Sequence, residues 1–96
     1  MLSTPESKVK DRVKKLLASY EAYWHMIVQN GMGAPSLDFV GCHRGRFYAV
    51  ETKAGNKQMT DRQRMTAKAM EEAGAAVFLI NEETGLPELE RWLGEQ

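Results

Sequence analysis

Residues 37–54 read LDFVGCHRGRFYAVETKA. Two runs of apolar, aromatic and β-branched residues flank HRGR. That is the pattern of a β-hairpin, with strands over 37–42 and 47–54 and a tight turn at 43–46. If Arg44 and Gly45 are the two loop residues, His43 pairs with Arg46. Cys42 then faces Phe47, Val40 faces Ala49 and Asp38 faces Glu51. A four-residue loop closed by Cys42 and Phe47 gives the same register, whereas a three-residue loop would break it.

The register places two acids side by side. Directly opposed residues have Cβ atoms about 4.5–5.5 Å apart, and opposed like charges destabilise a sheet. Period-2 alternation adds Lys53 to the face that carries Glu51. A cation between the acids would make the arrangement favourable. Oxygen-only ligands suit Mg²⁺ or Mn²⁺, and Mg²⁺ takes one or two carboxylates while keeping several waters. Such an ion lowers the pKa of its water and neutralises charge on a phosphoryl oxygen. Lys53 would hold the attacking water or stabilise a pentavalent phosphorane, so the set suits hydrolysis of a phosphodiester. The competing reading is a strand-end ion pair of Glu51 and Lys53 at a solvated edge, since exposed pairs are common.

Working outward, Val9, Val13, Leu16, Leu17 and Tyr20 recur at helical spacing and predict a helix over about 5–20. Lys8, Lys10, Arg12, Lys14 and Lys15 fall largely off that stripe. Ser3 or Thr4 suits the cap, and Pro5 suits the first turn. Residues 22–29 read as a strand and 30–36 as a loop. After a loop at 54–58, a second helix is expected over about 60–73, with Gly74 just past its end. The apolar run 75–80 predicts a strand buried on both faces. Leu89, Trp92 and Leu93 predict a short amphipathic helix over 87–93. The order is αβββαβα, an α/β sandwich around a mixed sheet.

With 96 residues, a single domain over 1–96 is expected. So short a chain buries a modest core, to which a partner subunit would add. No apolar run approaches the roughly 20 residues of a membrane span, and the N-terminus lacks the apolar core of a signal peptide. One cysteine, Cys42, excludes an internal disulfide framework and a cysteine-based zinc site. These features predict an intracellular protein. Charge is unevenly spread: residues 1–68 hold 12 Lys/Arg against 6 Asp/Glu, and residues 69–96 hold 1 against 7. A basic segment joined to an acidic tail fits a polyanion partner, or simply two solvated faces.

The combination of Asp38, Glu51 and Lys53 resembles the PD-(D/E)XK nuclease superfamily. The likeness sharpens across GMGAPSLDFVGCHRGRFYAVETKAG (31–55) and TDRQ (60–63), which resemble the VRR-NUC branch, above all the small stand-alone domains of phages. It covers nearly the whole chain, including the αβββαβ order, and implies a restriction-endonuclease-like core. By this resemblance Asp38 and Glu51 bind the metal, Lys53 serves catalysis, and Gln63 matches the glutamine of the helix after the E-x-K strand. Glu6 matches an acid near the start of the first helix that completes the metal site, and the Thr52 carbonyl is a further ligand. The family pattern has Pro followed at once by Asp. Here Ser36 and Leu37 separate Pro35 from Asp38, so either the loop is longer or Ser36 takes the usual slot. The hairpin register favours Asp38. Stand-alone members resemble Holliday-junction resolvases, implying Mg²⁺ or Mn²⁺ dependence, a homodimer, branched or junction DNA as substrate, and the cytoplasm of a bacterium or phage-infected host.

Each residue also has a plainer explanation. Thr60 and Gln63 form a capping-box pattern, and Ser3 and Glu6 repeat it. His43, beside two turn arginines, reads as an exposed spectator, and His25 as structural. Cys42 reads as a small buried residue and Met59, Met65 and Met70 as packing. Tyr23 and Trp24 suit core or dimer packing better than base stacking. Arg44, Arg46, Lys57, Arg62 and Arg64 flank the acids in sequence and are the expected phosphate contacts, which position a duplex without reading its bases. Three functions compete: a metal-dependent endonuclease for branched, flap or four-way-junction DNA, a non-cleaving DNA-binding module of the same fold, and a module with no nucleic-acid partner.

Overall fold

The computed structural model describes residues 4–28 and 35–95. In chain order these form α1 (Pro5–Ser19), β1 (Tyr23–Met26), β2 (Phe39–His43), β3 (Arg46–Thr52), α2 (Asp61–Glu72), β4 (Ala76–Ile80) and α3 (Leu86–Gly94). The αβββαβα order is as expected; most of the 30–36 loop, with Ser3, lies outside the described residues.

The hairpin closes through a two-residue loop. Arg44 has φ 53° and Gly45 φ 82°, the two positive values that a type I′ turn demands. The register runs from His43 opposite Arg46 to Phe39 opposite Val50, so Asp38 and Glu51 are the next pair in line. The sheet order is β1-β2-β3-β4. The first three strands are antiparallel, and β4 returns parallel to β3 after the α2 crossover.

Alternation along β3 divides the core into two layers. Tyr48 and Val50 join Val9, Val13 and Leu17 of α1 and Leu89 and Leu93 of α3 on one face. Ala49 joins Leu37 and Ala67 of α2 on the other, with Val40, Met59, Met70 and Val77 around them. Glu51, two residues beyond Ala49, follows it onto the α2 face. Gly41 is fixed by close approach: the Tyr48 hydroxyl donates to the Tyr23 carbonyl at 3.0 Å, and a Cβ on residue 41 would stand 2.1 Å from that carbonyl oxygen.

α3 locks the hairpin end. His43 is buried, with Nε2 3.0 Å from the Leu93 carbonyl oxygen. The Arg46 guanidinium lies 4.1 Å from the Trp92 ring centroid. Its Nη2 donates to the carbonyls of Trp92 and Glu95, both at 3.0 Å.

Five local expectations are corrected. His43 is an anchor inside the fold rather than an exposed turn residue. Cys42 is exposed, and Met65 is 73% exposed, because α2 covers only part of its sheet face and turns Met65 outward. β4 is an edge strand rather than a strand buried on both faces, and Leu79 is 38% exposed. The first helix is capped by Thr4, whose hydroxyl accepts from the Ser7 N–H at 3.1 Å. Ser7 therefore holds the third helical position, and Glu6 is not the acid of a capping box. Among the described residues no helix is long and apolar enough to cross a membrane.

Candidate active site

Asp38 precedes β2 and Glu51 lies near the end of β3, so the hairpin register brings both to one end of the sheet. The backbone holds each acid. The Asp38 N–H donates to Glu51 Oε1 at 3.2 Å. Asp38 Oδ2 accepts from the Thr52 N–H at 3.0 Å and from the Thr52 hydroxyl at 2.6 Å. Thr52 is fully buried, so it fixes the Asp38 carboxylate rigidly. The resemblance implied only a role for the Thr52 carbonyl. The signal for the hydroxyl was its place immediately after Glu51, in a run otherwise mostly apolar.

Two further side chains converge on Glu51 Oε2. Gln63 Nε2 donates to it at 2.8 Å, and Lys53 Nζ lies 3.7 Å away. The strand-end ion pair therefore exists, but not at a solvated edge: the Lys53 and Glu51 side chains are 14% and 4% exposed. Burial, then the negative charge of Asp38, pushes the Glu51 acid up to about 7, against the opposing pull of Lys53 and of the Asp38 N–H. Glu6 adds a smaller push in the same direction.

Gln63 satisfies both of its readings. Its Oε1 accepts from the Thr60 N–H at 2.9 Å while the Thr60 hydroxyl accepts from the Gln63 N–H at 3.1 Å. The capping box uses the amide oxygen, leaving the amide nitrogen for Glu51. Glu6, at the start of α1, pairs with Lys10 at 3.2 Å. It lines a cavity of about 460 Å³ with Thr4, Ala54, Gly55, Lys57 and Glu82.

This donor set fits a hard divalent ion. Asp38 and Glu51 offer carboxylate oxygens, and their mutual repulsion in a buried setting is relieved by positive charge. Among the described residues no three His, Cys, Asp or Glu side chains group closely enough to hold an ion. A site here would thus use two carboxylates and leave the remaining positions to water, as Mg²⁺ commonly does.

The expected phosphate contacts separate into two groups. Arg62 lines a cavity of about 300 Å³ with Asp38, Gln63, Ser36 and Thr60. Lys57 is exposed on the loop after Lys53. Arg64 is exposed on α2, donating to the Met59 carbonyl at 2.6 Å and pairing with Asp61. Arg44 and Arg46 stand at the opposite end of β3 from Glu51, about 16 Å away for Arg46 at a strand's rise.

Gly55 has a partner that sequence reasoning missed. The Glu82 carboxylate accepts its N–H at 2.8 and 3.1 Å. That tether holds the loop between Lys53 and α2 against the end of β4. Neither the scan of protein-family models nor the search of curated proteins finds a match for this chain.

Proposed function

We propose that the protein is a metal-dependent DNA endonuclease that hydrolyses phosphodiester bonds, of the VRR-NUC type that its sequence resembles. In this reading it acts as a homodimer on branched, flap or four-way-junction DNA, in phage DNA replication, repair or recombination. Its place of action is the cytoplasm of a bacterium or phage-infected host. The observation that carries the proposal is the coupling of buried Glu51 to Asp38, with Lys53 beside them. A structural ion pair needs one acid, and the second acid raises the cost of burying the first.

Asp38 and Glu51 would hold Mg²⁺ or Mn²⁺, which when bound supplies Lewis-acid stabilisation of phosphoryl oxygens and acidifies water. Thr52 and Gln63 keep the two carboxylates in fixed orientations, so little reorganisation is needed when substrate arrives. Lys53, 3.7 Å from Glu51, would orient the attacking water or offset charge developing on the phosphoryl group. Arg62 and Lys57 take backbone phosphates beside the site.

The test is cleavage of labelled duplex, flap and four-way-junction DNA with Mg²⁺, with Mn²⁺ and with chelator. Wild-type protein is expected to cut with either ion and not with chelator, and Glu51→Gln and Lys53→Met to lose cutting. Binding without cutting would favour the non-cleaving module. Cutting that survives Glu51→Gln would place the chemistry elsewhere.

A further inference from the structure

α1 carries a basic surface that the acid pair does not use. Lys8, Arg12 and Lys15 recur at helical spacing and are all exposed, opposite the buried stripe of Val9, Val13 and Leu17. From Lys8 to Lys15 the helix holds five basic residues and one acid, Asp11, which sits within the exposed ridge. Among the described residues the one ion pair on α1 is Lys10 with Glu6, and Lys8, Lys14 and Lys15 are unpaired.

The ridge begins at the acid end of the sheet. Thr4, Pro5 and Glu6 share their cavity with the 54–57 loop and Glu82. Arg12 Nη1 donates to the Glu82 carbonyl at 3.3 Å, and the Glu82 carboxylate grips Gly55. From there α1 runs toward the hairpin end, where the Tyr20 hydroxyl meets Glu90 of α3 at 3.1 Å. Lys8 and Lys15 are about 10 Å apart along the helix axis at its usual rise. A duplex carries one phosphate per strand for about every 3.4 Å of its axis, so a ridge of that length can face several phosphates.

α1 packs on the sheet face opposite the one that carries Glu51, whereas Arg62 belongs to α2 on the Glu51 face. Both basic surfaces reach the acid end, on opposite faces of the sheet. A straight duplex is stiff, with a persistence length of about 150 base pairs, so one helix cannot follow both layers. Two arms leaving a branch point can.

We infer that Lys8, Arg12 and Lys15 hold the phosphate backbone of a second duplex arm of the branched DNA proposed above. This rests on the nuclease reading above. The test measures binding of the full chain to a four-way junction and to a linear duplex of matched length, in chelator and across a salt series, for wild type, Lys8→Gln/Lys15→Gln and Lys8→Arg/Lys15→Arg.

The glutamine pair is expected to weaken junction binding about tenfold and to lower its salt slope by about two. Linear-duplex affinity is expected to stay within about twofold, and the arginine pair to restore junction binding. Equal losses on both ligands, or no loss on either, would overturn the inference while leaving the nuclease reading intact. Wild-type protein that binds neither DNA and cuts neither would overturn both.

Discussion

Gln63 holds Thr60 with one end of its amide and Glu51 with the other: Oε1 accepts from the Thr60 N–H at 2.9 Å and Nε2 donates to Glu51 Oε2 at 2.8 Å. The start of α2 and the end of β3 are thereby joined through one side chain. The cap of a helix and the orientation of a buried acid are set together.

Substitution at Gln63 separates the two roles. Gln63→Ala loses half of the capping box and the donor to Glu51, with an expected cost of about 1–2 kcal/mol in chemical denaturation. Gln63→Glu keeps an acceptor for the Thr60 N–H but sets a carboxylate against Glu51. It should raise the Glu51 pKa further, read by carboxyl NMR titration. An unchanged Glu51 titration in Gln63→Glu would contradict the contact.

Stability should depend on pH through Glu51. Its folded pKa, pushed up to about 7, lies above the ordinary glutamate value of 4.5. The folded state therefore binds the proton more tightly than the unfolded chain. The Glu51 contribution is fully present below about pH 4.5 and is lost as pH rises through about 7. In chelator, melts from pH 5 to 8 should show wild type losing on the order of 2 kcal/mol that Glu51→Gln retains, after allowing for screening. Added Mg²⁺ should restore stability above pH 7, where the acid pair is ionised. A flat wild-type profile in chelator would contradict the coupling.

Arg46 and Arg44 should behave differently although two residues apart. Arg46→Ala removes the stack on Trp92 and two bonds to carbonyls at the end of α3. It should lower stability by about 2–3 kcal/mol. Arg44→Gln, at the exposed turn tip, should leave the melting temperature within about a degree. Equal effects would contradict the assignment of Arg46 to the fold.

Gly41→Ala tests the close approach of β1, β2 and Tyr48. The new methyl would meet the Tyr23 carbonyl at 2.1 Å and the Tyr48 hydroxyl at 2.8 Å. Because the first of these is backbone, the edge strand must shift. A loss of about 3 kcal/mol or more is expected by denaturation. A loss below about 1 kcal/mol would contradict the packing.

The hairpin was legible because two short-range rules agree. Period-2 patterning fixed the faces, and the Arg44-Gly45 turn fixed the offset, so Asp38, Glu51 and Lys53 fall where the sequence predicts. Cys42, Met65 and Leu79 are more exposed than the patterning predicts, for a different reason. Alternation says which face a residue takes but not whether another layer covers that face. α2 is a short helix over a four-stranded sheet, and its coverage depends on where the crossover lands. The burial of His43 is not legible locally because it comes from α3, 50 residues later. The division of Gln63 between Thr60 and Glu51 was open in the sequence, since a capping pattern is silent about what the amide nitrogen meets.

The most direct test of the acid pair as an ion site is a Mn²⁺ binding isotherm at pH 8 for wild type, Asp38→Asn and Lys53→Met. Wild type and Lys53→Met should bind the ion, and Asp38→Asn should lose at least about tenfold in affinity. An isotherm for Asp38→Asn that superimposes on wild type, or no binding by wild type at all, would contradict the account.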